Sequence, residues 1–141
     1  MSGRNGDTLA QRWLAVSQQL LEGTMKSEPD QSRRLYGEAV VNWSKMPATQ
    51  VPGTSGSASV RGRQFGDFQA RVIEYGPNYL GDHWCTKGHI IYVVAGLLTI
   101  EHQDGSDPAI LSAGMTWYVA DDEGPAHRVQ TEGGAVVFVI D

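Results

Sequence analysis

The most distinctive stretch of this sequence is residues 82–89, which read Asp-His-Trp-Cys-Thr-Lys-Gly-His. It contains the single cysteine and two of the four histidines of the chain. His83 and Cys85 are two positions apart, so on an extended strand they point to the same face with their β-carbons roughly 6–7 Å apart. Both side chains can then reach one ion. His89 has the same parity, but Gly88 interrupts the strand, so His89 need not lie in line, and a chain that turns back can bring it to the same spot.

The composition limits the kind of protein this is. A chain of 141 residues suits one domain, and 17 glycines with only 19% charged residues indicate many tight turns, as in a small all-β domain. A net charge of −5 argues against a broad nucleic-acid-binding surface. One cysteine excludes an internal disulfide and a zinc ribbon. No stretch reaches the ~18 apolar residues of a membrane span, and the N-terminus lacks a signal-peptide pattern. We therefore expect a cytoplasmic protein without membrane or nucleic-acid partners.

The first part of the chain, residues 1–41, has a helical rather than a strand-like pattern. Its clearest signal is an apolar stripe with helical spacing at Leu9, Trp13, Val16 and Leu20. A second, weaker helix is predicted over residues 32–43. The stripe fits a helix packed on its own domain, a helix that serves a dimer or partner contact, or a partly disordered tail.

From residue 42 onward the pattern changes to short strands and turns. The segment 46–59 is rich in proline and glycine and is predicted to be irregular. Beyond this segment, turn residues recur regularly between short strands, a pattern that is typical of a β-sandwich or barrel. The predicted strands are Phe68–Tyr75, His89–Val94, Leu97–His102, Ala109–Leu111, Met115–Val119, Ala126–Thr131 and Ala135–Ile140.

Two motifs in this region resemble those of the cupin superfamily. Residues 81–96 match the first cupin motif, which runs Gly, His-x-His, Glu and Gly, and the second matches from Gly114 through Pro125 to His127. The sequence of residues 82–89 resembles that of the small cupins named for a DHCW motif. The resemblance covers about residues 42–141 and implies a single-domain jelly-roll barrel of two antiparallel sheets. It also implies a homodimer.

The same resemblance implies a ligand set for one metal ion, namely His83, Cys85, His89 and His127. Two of these positions depart from the cupin pattern, since Cys85 replaces a histidine and His89 replaces the glutamate. A thiolate carries the same charge as a carboxylate, but thiolate with imidazole favours zinc, with copper, nickel or iron as alternatives. The remaining histidine, His102, matches no motif position and is expected to be structural. The alternatives are a packing role for Cys85, or a cupin without metal that keeps a hydrogen-bonded histidine cluster.

The expected function is therefore a metal-binding cupin that acts on, or binds, a small polar molecule. The metal would serve as a Lewis acid or activate water, but no catalytic residue can be assigned from the sequence. Arg71 and Glu74 have opposite parity on one strand, so only one can face inward, and an inward Glu74 would be a candidate general base. The competing readings are a non-catalytic module, with a structural metal site or a sensor role, and a metal-free binding protein.

Overall fold

A computed structural model describes residue 11 and residues 32–141 of the chain. The chain divides into two compact units, residues 1–33 and 34–141, and the second contains all the elements below. The helix predicted around Leu9 and Leu20 lies outside the described residues, apart from residue 11. In the described part of the chain, no helix has the length and apolar composition needed to cross a membrane.

The prediction of a second helix over residues 32–43 is wrong. Residues 34–42 have no regular secondary structure, and most of the apolar residues that suggested a helix face solvent, with Val40 96% exposed. Gly37 has a φ of +72°, which a right-handed helix does not accept. The segment is instead held by main-chain contacts: the carbonyl of Arg34 accepts from the amide of Asp67 at 2.8 Å, and the Arg34 amide donates to the Asp67 carboxylate at 2.9 Å.

Residues 34–141 are almost entirely β-structure, which confirms the all-β prediction. A short 3₁₀ turn at Trp43–Lys45 precedes the strands, and its Trp43 ring packs on the outer face of the sheet against Phe65 and Phe138. The strands are β1 (Thr49–Pro52), β2 (Ser57–Phe65), β3 (Phe68–Tyr75), β4 (Tyr79–Leu80), β5 (His89–His102), β6 (Ala109–Ser112), β7 (Thr116–Val119), β8 (His127–Thr131) and β9 (Ala135–Ile140). The prediction that residues 46–59 are irregular was wrong for β1 and for the start of β2.

The strands form two antiparallel sheets that share β5. The first sheet has the order β1-β2-β3-β9-β5-β7, and the second has the order β6-β5-β8-β4. The first half of β5 pairs with β7 and β9, whereas its second half pairs with β6 and β8. This arrangement agrees with the predicted jelly-roll barrel of two antiparallel sheets.

A bulge at Val94 joins the two halves of β5, which had been predicted as separate strands. The pairing with β9 shifts register between Val93 and Ala95, and an extra residue in one strand changes which side chains face inward. Before the bulge the odd-numbered residues face inward, and after it the even-numbered ones do. Val93, Leu98 and Ile100 accordingly all have 0% exposure and lie in one core.

Candidate metal centre

Backbone pairing places Cys85 directly opposite His127. Cys85 lies in the loop between β4 and β5, and it forms an isolated antiparallel bridge with the first residue of β8. The Cys85 amide donates to the His127 carbonyl at 2.8 Å, and the His127 amide donates to the Cys85 carbonyl at 2.9 Å. Residues opposite each other in such a bridge project to the same face. Main-chain hydrogen bonds alone therefore bring the thiol and the imidazole together.

Gly88 fixes the turn that delivers His89 to this face. A β-carbon on Gly88 would lie 2.7 Å from the amide nitrogen of Asp121 and 2.8 Å from the carbonyl oxygen of Val119, so only glycine fits. The Gly88 amide also donates to the Asp121 carboxylate at 2.6 Å. His89 then begins β5 with its side chain only 11% exposed. The expectation that the chain turns at Gly88 agrees with this geometry.

Three of the four predicted ligands form one compact cluster. One ligand atom from each of Cys85, His89 and His127 lies within 4.8 Å of the other two. The Cys85 Sγ is 3.5 Å from His89 Nε2, and the two imidazole rings meet edge to face, with centroids 5.2 Å apart. At zinc bond lengths near 2.3 Å to sulfur and 2.0–2.1 Å to nitrogen, tetrahedral ligand atoms lie about 3.4–3.6 Å apart. The cluster is thus compatible with metal binding.

His83, the fourth predicted ligand, is not part of this cluster. Its Nδ1 lies 2.7 Å from the Asp82 carboxylate, and its side chain is 77% exposed. It borders the mouth of the cavity described below. Its role as a metal ligand stays a prediction. His102, which the sequence assigned to no site, lies opposite His127 in the sheet, and its Nδ1 is 2.9 Å from the carbonyl oxygen of Asp107.

Burial keeps both clustered histidines in the neutral form at neutral pH. His127 is 4% exposed, and desolvation, followed by the charges of His89 and His102, lowers its pKa from 6.5 to about 4. Desolvation also lowers the pKa of His89, although the neighbouring Asp141 carboxylate opposes that shift. The neutral imidazole is the form that binds metal ions. His127 Nε2 is buried and has no hydrogen-bond partner among the described residues, which leaves its lone pair available.

A carboxylate and a guanidinium adjoin the cluster from behind His89. Asp141 Oδ2 lies 3.3 Å from His89 Nδ1, without the alignment of a hydrogen bond. The same oxygen accepts a hydrogen bond from Arg71 Nη2 at 2.7 Å. A carboxylate that accepts the ring N–H of a histidine ligand fixes the orientation of the ring, and Asp141 lies next to that position on His89 without forming this hydrogen bond. Of the two residues on β3 of which only one could face inward, Arg71 lines the interior. Glu74 is 56% exposed and pairs with Arg61.

The cluster borders a cavity of about 280 Å³ inside the barrel. Most of its wall is apolar and comes from the strands of both sheets, including Ile73, Ile91 and Val139. Tyr75 and Tyr79 add two aromatic rings, with centroids 4.8 Å apart. Burial raises the pKa of Tyr75 far above its usual value, so its hydroxyl stays protonated. The site therefore combines possible ligand atoms with a mostly apolar chamber, as small-molecule sites do.

Comparison with known proteins identifies the fold. No family model matches the chain, and no curated protein matches it either. Among solved structures, the polyketide cyclase RemF from Streptomyces resistomycificus matches with a TM-score of 0.60 and 19% identity, over 74% of this chain and 78% of that one. An RmlC-like cupin from Shewanella frigidimarina NCIMB 400 matches with a TM-score of 0.57 and 18% identity, over 74% and 89%.

A third solved structure, a cupin-like protein from Thermotoga maritima MSB8, matches with a TM-score of 0.53 and 18% identity, over 62% of this chain and 69% of that one. At these identities the likeness concerns the fold, and it agrees with the motifs around Cys85 and His127. The narrower resemblance to the DHCW-motif type stays a prediction. The chain has the fold of the cupin superfamily.

Proposed function

We propose that this protein binds one divalent metal ion, zinc in the first place, through Cys85, His89 and His127, and that the ion serves a small molecule held in the barrel cavity. The observation that carries the proposal is the approach of these three ligand atoms to within 4.8 Å of one another in the wall of a 280 Å³ cavity. A chance meeting of a cysteine and two histidines at such a place is rare in a chain with one cysteine and four histidines.

The donor set supports zinc over other ions. A thiolate with two neutral imidazoles is softer than the oxygen ligands that manganese and magnesium prefer. It also differs from the two-histidine, one-carboxylate set of common non-haem iron oxygenases. Asp141 does not supply that carboxylate in this structure, because its Oδ2 bonds Arg71 and lies on the Nδ1 side of His89. Copper, nickel and iron remain the alternatives to be tested.

Three protein ligands favour a reactive centre over a structural one. Structural zinc sites are closed by four protein ligands, whereas catalytic sites keep one position for water or substrate. The position of His83, exposed and held by Asp82, supports the open arrangement. When bound, the metal would supply Lewis acidity or lower the pKa of a coordinated water. In the protein itself, the Asp141 carboxylate lies 3.3 Å from His89 Nδ1, and burial keeps bulk solvent away from His127.

A metal titration of matched variants tests this proposal. The chain is stripped with a chelator and titrated with zinc, and with cobalt as a spectroscopic substitute whose thiolate charge-transfer band reports on Cys85. We expect one equivalent to bind. We expect Cys85→Ala and His127→Ala to weaken zinc binding by roughly 100-fold or more, since removing a direct ligand exceeds the 10–100-fold effect of supporting residues. His102→Ala is the matched control and should bind as the parent does.

The His83→Ala variant separates the open site from the closed one. If it binds zinc as the parent does, the site has three protein ligands. If it loses as much affinity as His127→Ala, His83 completes a four-ligand site, and the non-catalytic structural module becomes the better proposal. If the parent protein binds none of the metal ions named above, the protein is a metal-free binding module and the proposal fails.

A further inference from the structure

The hydroxyl of Tyr75 is a polar group without a partner inside the barrel. Tyr75 lies on β3 with the same parity as Arg71 and Ile73, and all three residues line the cavity. In the described part of the chain, no hydrogen bond involves this hydroxyl. Its oxygen is also not among the described side-chain atoms that are both unpaired and completely inaccessible. A molecule in the cavity can therefore reach it.

This hydroxyl keeps its proton in a largely apolar place. Burial, and then the neighbouring Tyr79, raise the pKa of Tyr75, whereas Arg71 opposes the rise. The neutral phenol can donate a hydrogen bond to an oxygen or accept one from a hydroxyl. A buried water molecule usually makes about three hydrogen bonds, and the apolar wall around Tyr75 offers few. A ligand oxygen, which needs only this one partner, fits the position better.

The second tyrosine of the cavity contributes its ring in the interior and its hydroxyl nearer the mouth. Tyr79 is 6% exposed, and its ring centroid lies 4.8 Å from that of Tyr75. Burial and then the charge of Asp82 raise the pKa of Tyr79, and the Asp82 side chain is 58% exposed at the mouth. Water competes for hydrogen bonds there. The Tyr75 hydroxyl is therefore the better anchor for a ligand.

The charges of the cavity wall outside the metal cluster favour a neutral ligand. Arg71 donates to Asp141 at 2.7 Å, and Arg128 donates to Glu101 at 2.7 Å. The exposed Asp82 carboxylate is screened by solvent. A charged ligand would leave water for an apolar wall in which both arginines already have a carboxylate partner, and such a transfer is costly.

The size and walls of the cavity describe the body of the ligand. A volume of about 280 Å³ lies at the lower end of small-molecule sites, which are roughly 300–1,000 Å³. The rings of Tyr75 and Tyr79 and the side chains of Ile73, Ile91 and Val139 offer apolar contact. Aromatic bodies pack well against such rings.

We propose that the cavity binds a small neutral aromatic molecule that carries a hydroxyl or carbonyl oxygen, and that the Tyr75 hydroxyl bonds this oxygen. The chemical class is that of phenols, aromatic alcohols and aryl ketones. The inference rests on the proposed function only in placing the small molecule in this cavity. The Tyr75 contact itself does not depend on a bound metal ion.

NMR titration of metal-stripped protein with phenol and toluene, followed through the Ile73 and Ile91 methyl groups of the cavity wall, tests the inference. The two probes have the same shape, and only phenol has a hydroxyl. Because their hydration differs, the informative quantity is the dissociation constant of toluene divided by that of phenol. We expect this ratio to be about fivefold larger in the parent than in Tyr75→Phe, the factor of one ordinary hydrogen bond. The matched control Tyr118→Phe, which alters a residue 77% exposed on β7, should leave the ratio unchanged.

Two further measurements make the outcome independent of one variant. In the parent protein, phenol should show nuclear Overhauser contacts with the ring protons of Tyr75, so the test stands even if Tyr75→Phe fails to fold. Tyr79→Phe should change the ratio less than Tyr75→Phe does. Equal ratios in the parent and Tyr75→Phe, a larger effect of Tyr79→Phe, absent contacts with the Tyr75 ring, or no methyl shift with either probe would each overturn the inference.

The zinc stoichiometry of the same protein, measured after reloading, keeps this inference separate from the proposed function. Normal zinc binding with a ratio that does not depend on Tyr75 refutes the aromatic site alone. A ratio that depends on Tyr75 without any zinc binding supports the aromatic site and refutes the metal proposal.

Discussion

The buried His127 should make the metal-free protein sensitive to mild acid. Its pKa falls to about 4 in the folded chain, against 6.5 for an ordinary histidine. Between these values the unfolded chain binds a proton that the folded chain does not. Stability is therefore fully present above pH 6.5 and is lost as the pH falls through the folded pKa.

The size of this effect follows from the shift. One pKa unit corresponds to 1.36 kcal/mol, so the difference between 6.5 and about 4 amounts to about 3 kcal/mol in the free energy of unfolding. Roughly 2 kcal/mol of it is lost between about pH 7 and pH 4.5, and the rest at lower pH. Because metal binding requires a neutral imidazole, the zinc-loaded protein should lose stability more steeply over the same range.

Urea unfolding of chelator-stripped protein at these two pH values measures the effect. Other groups titrate too, so the informative quantity is the pH-induced loss in the parent minus that in His127→Gln, which cannot take up a proton at this position. We expect about 2 kcal/mol for this difference, and a clearly smaller difference for the control His102→Gln, because His102 contributes to the lowered pKa of His127 less than burial does. If His127→Gln loses as much stability as the parent does, the imidazole is not held neutral by burial and the reasoning is refuted.

Three further predictions concern the barrel itself. Gly96→Ala places a β-carbon 2.3 Å from the Gly134 carbonyl oxygen, whereas Gly105→Ala has a similar positive φ but open space. The free energy of unfolding should therefore be lower in Gly96→Ala than in Gly105→Ala by about 1–3 kcal/mol. Equal urea midpoints of the two variants would contradict the close approach. Tyr75 keeps its proton when folded, so stability should fall as pH rises above about 10, by up to about 1.4 kcal/mol per pH unit; a Tyr75→Phe variant with the same alkaline slope would exclude this cause. If the predicted homodimer forms, we expect it to cover the apolar outer face of β5, where Val94 is 53% exposed. Val94→Asp should then change the sedimentation of the protein from that of a dimer to that of a monomer. A parent protein that sediments as a monomer would refute the dimer prediction.

Strands bounded by clear turn residues were predictable to the residue. β3 and β9 match the predicted segments Phe68–Tyr75 and Ala135–Ile140, because Gly76 and Pro77 follow the first and two glycines precede the second. β1 and the start of β2 were missed because prolines and glycines surround them. Gly53 and Gly56 there are required by close approach to Tyr79 rather than by an irregular loop. Local composition cannot reveal a contact with a distant strand.

The site was only partly predictable for a similar reason. Motif spacing identified Cys85, His89 and His127 together, because each position is tied to a turn or strand start that the sequence marks. It could not show that His83 Nδ1 would lie 2.7 Å from the Asp82 carboxylate. It noted Arg71 but could not choose its face, and it missed Asp141, which follows the last strand and has no motif. Register between strands, which fixes these positions, is a tertiary property.

The main-chain bridge between Cys85 and His127 fixes the position of residue 85 whatever its side chain is. Two backbone hydrogen bonds hold position 85 opposite position 127, and neither depends on the side chain present. A histidine, which the usual cupin motif has at this position, could therefore replace Cys85 without disturbing the strands. The strand pairing thus fixes the position of residue 85 independently of its side chain, so a substitution there would change the hardness of the proposed metal site while the shape of the barrel stays the same.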